Sequence, residues 1–379
     1  MIRAVCYTLS NINGGVDPMG HIRLFAPLEK ANILLIPGIE GDNIFPERVS
    51  DGDIVVIQRH FPVKFMEYQK IIDRAHQEKK PVVFEIDDLL FNLPMEHPDR
   101  IIHFYAAALL PIFQAILEAD IVTVPTDKLA VEIQPYNSRV FVLPNYFDDD
   151  LWSLRKPNLY NDISRLITIG YMGTNSHLPD LEYLVPVILE IINRYPQMIR
   201  FRIWGIKPPD ILLSFDQIEW VPWISYNYKE FSTYFQKQSV DIWIAPLIDN
   251  LFNQCKSPLK FFEYSSLGAP GVYSAIETYN KIIKNGINGF LASSYADWRD
   301  SLINLIENPV LRYEMALNAQ ETIKTKWLLS KNAYRWEEVY QQAIERYPHE
   351  KKHKEMDLKI INSLSYQIVE AFQYKDSRI

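Results

Sequence analysis

The sequence predicts an α/β protein built from two doubly wound domains with parallel sheets. Three observations carry this. Short β-branched runs alternate with amphipathic helical stretches along nearly the whole chain. Several of those runs are apolar at nearly every position, as strands covered on both faces are. The chain has 379 residues, too many for one ordinary core and about right for two.

Taken in order, the first domain spans 1–152. Its strands are expected at 2–9, 32–36, 53–57, 81–86, 121–124 and 139–143, and its helices at 18–30, 63–79, 99–118 and 127–134. A polar stretch at 153–164, with Pro157, Asn158 and Asn161, reads as the interdomain linker. The second domain, 165–330, repeats the alternation. Strands are expected at 166–171, 200–204, 218–221, 241–245, 271–273 and 289–291, with helices at 181–195, 229–236, 258–267, 295–307 and 309–326. A further helix at 331–346 begins a C-terminal segment, 331–379, expected to return to the first domain. Two such domains in tandem leave a cleft between the carboxyl ends of their sheets, where ligands bind in folds of this kind.

Composition narrows the class. The chain is 48% hydrophobic, 23% charged and 13% aromatic, values of a globular protein. A net charge of −8 argues against a broad nucleic-acid footprint. Cys6 and Cys255 cannot build a disulfide framework, and neither has zinc-ligand neighbours, which fits a reducing compartment. No secretory signal opens the chain. The most apolar stretch, 104–113, is well short of the roughly 20 residues a membrane span needs. The expected location is therefore cytoplasmic. Residues 99–118 are apolar on nearly all faces, and a helix like that is usually buried. Were part of it exposed, it would make a peripheral contact at the inner face of the cell membrane.

The most informative stretch runs from Asn253 to Pro270. Ser257 followed by Pro258 reads as an N-cap and first helical position, and Gly268 with Pro270 ends the helix. The first amides of that helix, at Leu259 and Lys260, with the dipole behind them, suit an anion. Lys256 and Lys260 flank the same end, so both ammonium groups can lean on one anion. Glu263 lies one turn deeper on the face of Lys260. A diphosphate at the tip and ribose hydroxyls on the carboxylate fit this layout. The same spacing equally describes a solvated Lys–Glu pair on a surface helix.

This segment resembles the donor-site helix of GT-B glycosyltransferases, particularly the retaining glycosyltransferase family 4. Glu263 matches the second glutamate of the family's Glu-x7-Glu motif. Gly268-Ala-Pro270 and Val272-Tyr-Ser274 match the turn and strand after it, and Asn285 to Leu291 resembles the next loop and strand. One position departs from the family: Cys255 stands where the first glutamate, which contacts the transferred sugar, is expected. The surrounding Phe252 to Lys260 run is similar to a bacterial subgroup linked to cell-surface polysaccharides, in which Asn253 and Lys256 would take over polar contacts. A second block, Gly173-Thr174 with His177 and Asp180-Leu181, resembles the start of the C-terminal domain in that subgroup. A Gly-x-x-Gly by itself marks only a strand-to-helix turn. Trp204-Gly205 and the Trp220-Val-Pro-Trp223 turn end consecutive strands and, by resemblance, flank the base; packing at a sheet edge describes each tryptophan equally well.

In the first domain, Asn11 to Val16, with Gly14 and Gly15, precedes a helix carrying His21 and Arg23 and resembles the family's glycine loop on the acceptor side. The resemblance extends to 84–90, with Asp87-Asp88, to 123–129 and to 142–146. His103 follows the Asp87 strand and is an acceptor-side candidate, although a lone histidine on an apolar helix is more often packing. No metal or other cofactor is expected, because helix amides and lysines hold the diphosphate in this fold.

The resemblance thus implies a transferase that moves sugar, with retention, from a nucleotide-diphosphate-sugar to a glycan, lipid-linked or protein acceptor. Lys256, Lys260 and the helix amides would stabilise the leaving group and Glu263 would anchor the ribose. Nucleic acid is not an expected partner. The competing reading, kept open by Cys255, is a non-catalytic nucleotide- or sugar-binding protein on the same fold.

Overall fold

A computed structural model describes residues 1–9, 11–12, 15–16, 18–159, 165–223, 225, 227–346, 364 and 366–368. It divides into two compact units. One comprises Met1–Asn145, Cys255–Ser257 and the described chain from Leu329 onward; the other comprises Tyr146–Gln254 and Pro258–Leu328.

The first unit is organised around a six-stranded sheet: β1 (Arg3–Tyr7), β2 (Leu34–Pro37), β3 (Ile54–Gln58), β4 (Val82–Glu85), β5 (Ile121–Val124) and β6 (Val140–Val142). The order is β2-β1-β3-β4-β5-β6, parallel throughout. Every residue of β3, β4 and β5 is buried, which accounts for runs that are apolar at all but one position each, Gln58, Glu85 and Thr123. Its helices include α1 (Ala26–Lys30), α2 (Phe65–Gln77), α3 (Leu109–Glu118) and α4 (Asp127–Ile133). Helix α2 buries Tyr68, Ile71, Ile72 and Ala75, the i, i+3, i+4, i+7 stripe of an amphipathic helix. Thr126 caps α4 by accepting from the Leu129 amide.

Two expected helices of this unit are interrupted. The 18–30 helix contains a π-helical turn at His21–Phe25 before α1. The 99–118 helix is broken, because His103 adopts φ 55° and the Phe104 amide reaches back to the Asp99 carbonyl. Only Leu109–Glu118 continues as α-helix, burying Ile112, Phe113 and Ile116. Ile101, Ile102, Phe104 and Leu110 stay exposed.

The second unit repeats the plan with β7 (Ile167–Gly173), β8 (Ile199–Gly205), β9 (Ile218–Pro222), β10 (Ile242–Ala245), β11 (Gly271–Ser274) and β12 (Phe290–Ala292). Its order, β9-β8-β7-β10-β11-β12, is all parallel and is the 3-2-1-4-5-6 arrangement of dinucleotide-binding folds. The strand order reverses between β7 and β10, so the carboxyl ends of those two strands mark the place where such sheets hold ligands. Around the sheet lie α5 (Leu178–Arg194), α6 (Tyr228–Phe235), α7 (Leu251–Cys255), α8 (Leu259–Ser266), α9 (Tyr295–Glu307) and α10 (Pro309–Lys326). Ser294 and Asp297 form a capping box at the start of α9. The core is aliphatic, with Ile169, Leu184, Ile188, Ile203, Ile244 and Leu302 fully buried around Trp298.

The first unit ends at Asn145 rather than at residue 152. The Phe147 amide bonds the Trp327 carbonyl at 2.8 Å, and Trp152 packs against Tyr228, Phe231 and Phe235. The described part of the 153–164 stretch is likewise tied down. Arg155 donates to the Gln236 and Gln238 carbonyls, and its own carbonyl accepts from Gln320. Residues 160–164 lie outside the described chain. Helix α11 (Tyr334–Arg346) packs on α1 and β3 and buries Trp336, Val339 and Tyr340.

Candidate functional site

At the reversal point of the second sheet, the last residue of β7 is Gly173. Its register partner at the end of β8 is Gly205. Gly205 has φ +85°, and a Cβ there would fall 2.3 Å from the Gly173 carbonyl oxygen. Only glycine lets these two strand ends run so close. The turn after β7 holds Thr174, whose hydroxyl lies 2.8 Å from that of Ser176, and then His177, whose Nδ1 lies 2.8 Å from Asp180 in the first turn of α5.

Asp180 is a hub that lies inside the sequence motif but is not singled out by it. It is buried and accepts from the Ile248 amide at 2.8 Å and from the Asn253 side chain at 3.2 Å. Burial opposes its charge, yet the His177 contact, the Ile248 amide and Lys260 outweigh that and hold its carboxyl below the usual range. An ionised acceptor requires His177 to donate from Nδ1. The i, i+3 spacing of His177 and Asp180 at a helix start is the sequence signal for this pair.

Tyr171 connects β7 to α8. The Lys260 ammonium stands 5.5 Å from the centre of its ring, while its hydroxyl lies 2.7 Å from where a Gly173 Cβ would be. That hydroxyl is buried and has no hydrogen-bond partner. Helix α8, which starts at Leu259, therefore brings the Lys260 ammonium over the tyrosine whose hydroxyl reaches the glycine end of β7. One turn on, Glu263 is 7% exposed and accepts from Tyr228 Oη at 3.1 Å. Burial pushes its carboxyl up to about 7, with the Tyr228 hydrogen bond and Lys260 pulling the other way. Tyr228 comes from the start of α6, a distant segment with no local signal linking it to Glu263.

Several expectations are corrected. Ser257 does not cap α8: the cap position is Pro258 with no side-chain bond, and Ser257 Oγ accepts from Asn145 Nδ2 at 2.7 Å. Cys255 is fully buried, its thiol pushed up to about 12 chiefly by burial, and its carbonyl accepts from Thr126. Lys256 and Lys260 take different partners: the Lys256 ammonium is 3.9 Å from Asp88, whereas Lys260 lies over Tyr171. Asn253 is buried, and its amide group bonds Asp180 and the Ile248 carbonyl. Trp204 is a core residue, 3% exposed, packed on Phe235 and Trp243. The surface indole is that of Trp220, which donates to the Gly205 carbonyl.

In the first unit, the carboxyl end of β4 carries a buried polar network. Arg23, on the π-helical turn, donates through Nε to Glu85 at 2.7 Å and through Nη1 to the Leu143 carbonyl and to Asn145 at 2.8 Å. Gln58 donates to the other Glu85 oxygen at 2.9 Å and accepts from Thr8. Asp87 is held by Arg59 at 2.6 Å, and Arg59 also donates to Tyr105. Burial raises the Asp87 carboxyl to about 7, with Arg59 opposing and Asp88 and Glu85 adding to the rise. His103 lines a small pocket with Leu90, Arg100, Tyr105 and Gln367. Gly15 pairs with Ile12 in a two-residue hairpin, and Gly14 lies outside the described residues. Among the described residues no group of three or more His, Cys, Asp or Glu side chains is placed to hold a metal ion, and no helix is long and apolar enough to cross a membrane.

No family model and no curated protein matches the sequence. Solved structures do match. The sucrose-phosphate synthase of Thermosynechococcus elongatus superposes with a TM-score of 0.60 at 12% identity, covering 90% of this chain and 99% of that one. Anabaena HepE, solved with UDP and glucose, gives 0.60 at 11% identity over 90% and 100%. WaaG, a glycosyltransferase involved in lipopolysaccharide biosynthesis, gives 0.56 at 12% identity over 92% and 100%. TarM matches at 0.56 and 13% identity over 76% of this chain, and the match spans 54% of its own length. The architecture is the GT-B fold of these glycosyltransferase structures.

Proposed function

We propose that the chain is a glycosyltransferase that takes sugar from a nucleotide-diphosphate-sugar held by the second unit and passes it to an acceptor hydroxyl. The single observation that carries this reading is the Lys260 ammonium, from the first turn of α8, standing over the Tyr171 ring, whose hydroxyl lies beside the glycine end of β7. Cation, helix amides and a backbone free of side chains are what a diphosphate needs. HepE, of similar fold, is described in complex with UDP and glucose, which supports a nucleotide sugar as donor.

In the proposed reaction the acceptor oxygen bonds the anomeric carbon as the bond from that carbon to the diphosphate oxygen breaks. The acceptor's proton passes to the leaving phosphate, so no separate base is required. Lys260 and the α8 amides stabilise the charge that develops on the diphosphate. Glu263, oriented by Tyr228, accepts from the ribose hydroxyls and fixes the donor's register. Retention, and a glycan, lipid-linked or protein acceptor in a cell-envelope setting, are carried over from the family resemblance. Exposed Ile101, Ile102, Phe104 and Leu110 support a peripheral lipid contact as part of this reading; failure to co-sediment with anionic or neutral vesicles removes that part.

Calorimetric titration with UDP, GDP, ADP, CDP and dTDP tests donor binding directly. At least one should bind, and its affinity should fall in Lys260→Ala. If none binds the folded protein, the proposal is lost.

A further inference from the structure

A pocket lies at the amino ends of β10 and β11, the opposite edge of the second sheet from Gly173 and Gly205. Arg155, Lys156, Ser239, Asp241, Arg312 and Tyr313 line it, all within the second unit. Its volume is about 30 Å³, roughly twice the space one water molecule needs. Lys156 is exposed, so the pocket opens to solvent there.

Three of these residues are cations, and among the described residues none of the three makes an ion pair. Arg155 donates to the Gln236 and Gln238 carbonyls, and Arg312 to those of Leu305 and Ile306. Carbonyls orient a guanidinium but leave its charge uncompensated. Asp241 is already committed, one oxygen to Arg165 and the other to the Thr168 amide. Burial pulls the Arg312 guanidinium below its usual range, with Asp241 opposing and Arg165 adding to the drop, as for a cation short of counter-charge. Such a cluster runs against the chain's net charge of −8.

The lining is fixed by backbone contacts. The Arg155 amide bonds the Ser266 carbonyl at 2.8 Å, and its carbonyl accepts from Gln320 at 2.6 Å. Gly268, at φ +77°, lets the two segments meet: a Cβ there would lie 2.8 Å from the Arg155 carbonyl oxygen. Gln320 also covers the Ser265 carbonyl, so the end of α8 offers an anion less repulsion. Arg312 and Tyr313 stand near the start of α10, the positive end of an 18-residue helix.

We infer that this pocket binds a phosphate dianion, free or as the end of a phosphomonoester, at a site separate from the donor's. With Arg165 set against Asp241, three positive charges remain, which favours a dianion over a carboxylate. The guanidinium groups and the Ser239 and Tyr313 hydroxyls supply the donors its oxygens need.

Calorimetric titration of the full chain with inorganic phosphate and glycerol 3-phosphate tests this, with acetate as comparator at constant ionic strength. At least one phosphate should bind the wild type, and the tighter of the two tells free ion from phosphomonoester. Affinity should fall roughly ten-fold or more in Lys156→Gln and in Arg312→Gln, the loss of one charge-assisted hydrogen bond, and should persist in Lys260→Ala. Circular dichroism checks folding. Lys156 is exposed and unpaired, so its variant carries the test even if Arg312→Gln does not fold. The inference is overturned if neither phosphate binds, if acetate binds as tightly, if Lys156→Gln binds like the wild type, or if Lys260→Ala abolishes binding.

Discussion

Tyr228 donates its hydroxyl to Glu263 at 3.1 Å, and both side chains are buried in the second unit. The carboxyl is raised by burial to about 7, while an unfolded glutamate titrates near 4.3. The folded state therefore holds the proton more tightly, so this group's stabilising contribution is complete below the unfolded value and is lost as pH rises through about 7. Removing the titration with Glu263→Gln should flatten that dependence. Thermal midpoints of both proteins between about pH 5 and pH 8 should show the wild type losing ground to the variant as pH rises. A difference that does not change with pH would contradict the raised carboxyl.

Lys260→Ala should weaken nucleoside diphosphate binding by about 1.5–3 kcal/mol, the range for a hydrogen bond to a charged group. Lys256, whose ammonium is directed to Asp88, should matter less, by under about 1 kcal/mol. Calorimetry on the two alanine variants decides this, and an equal or reversed order would return Lys256 to the diphosphate.

Much of this layout is legible in the sequence, and the losses have physical causes. β3 and β4 are apolar up to their last residues, Gln58 and Glu85, because both of their faces are covered, so their positions are plain from the residues. The break at His103 is hidden because a left-handed residue costs little at one position and leaves the apolar pattern intact. Lys260, Glu263, Gly173 and Gly205 are all found by motif. Tyr228 is not, because it reaches Glu263 from 35 residues away and the contact exists only once α6 and α8 pack. The capping rule misplaces Ser257 for a similar reason: Asn145 competes for its hydroxyl, and that competitor is remote in the chain.

Gly205→Ala should destabilise the protein. A Cβ would press on the Gly173 carbonyl, and φ +85° is unfavourable for any other residue, a cost of about 1–3 kcal/mol. Gly41, with φ +58° and nothing within 4 Å of the position, is the control: its alanine variant should cost only the backbone part, about 1 kcal/mol. Urea midpoints that rank Gly41→Ala as the more damaging change would argue against this packing.

Arg23→Met should be among the costliest changes in the first unit. It leaves Glu85 buried with one charge partner fewer, a loss of about 3–5 kcal/mol. Arg23→Lys should rescue little, since a single ammonium cannot reach Glu85, Asn145 and the Leu143 carbonyl together. Full recovery of the unfolding midpoint by lysine would show that the fork is unimportant.

The most direct test of sugar transfer is turnover. Purified protein is offered a panel of nucleotide sugars, with and without an extract supplying acceptors, and nucleoside diphosphate release is measured. Release is expected from at least one donor, stimulated by the extract and reduced at least about ten-fold in both Lys260→Ala and Glu263→Ala, the loss of roughly 1.4 kcal/mol or more of transition-state stabilisation. Tight nucleotide binding with no release from any donor under any condition would contradict transfer, and would leave a nucleotide-binding protein on a transferase fold.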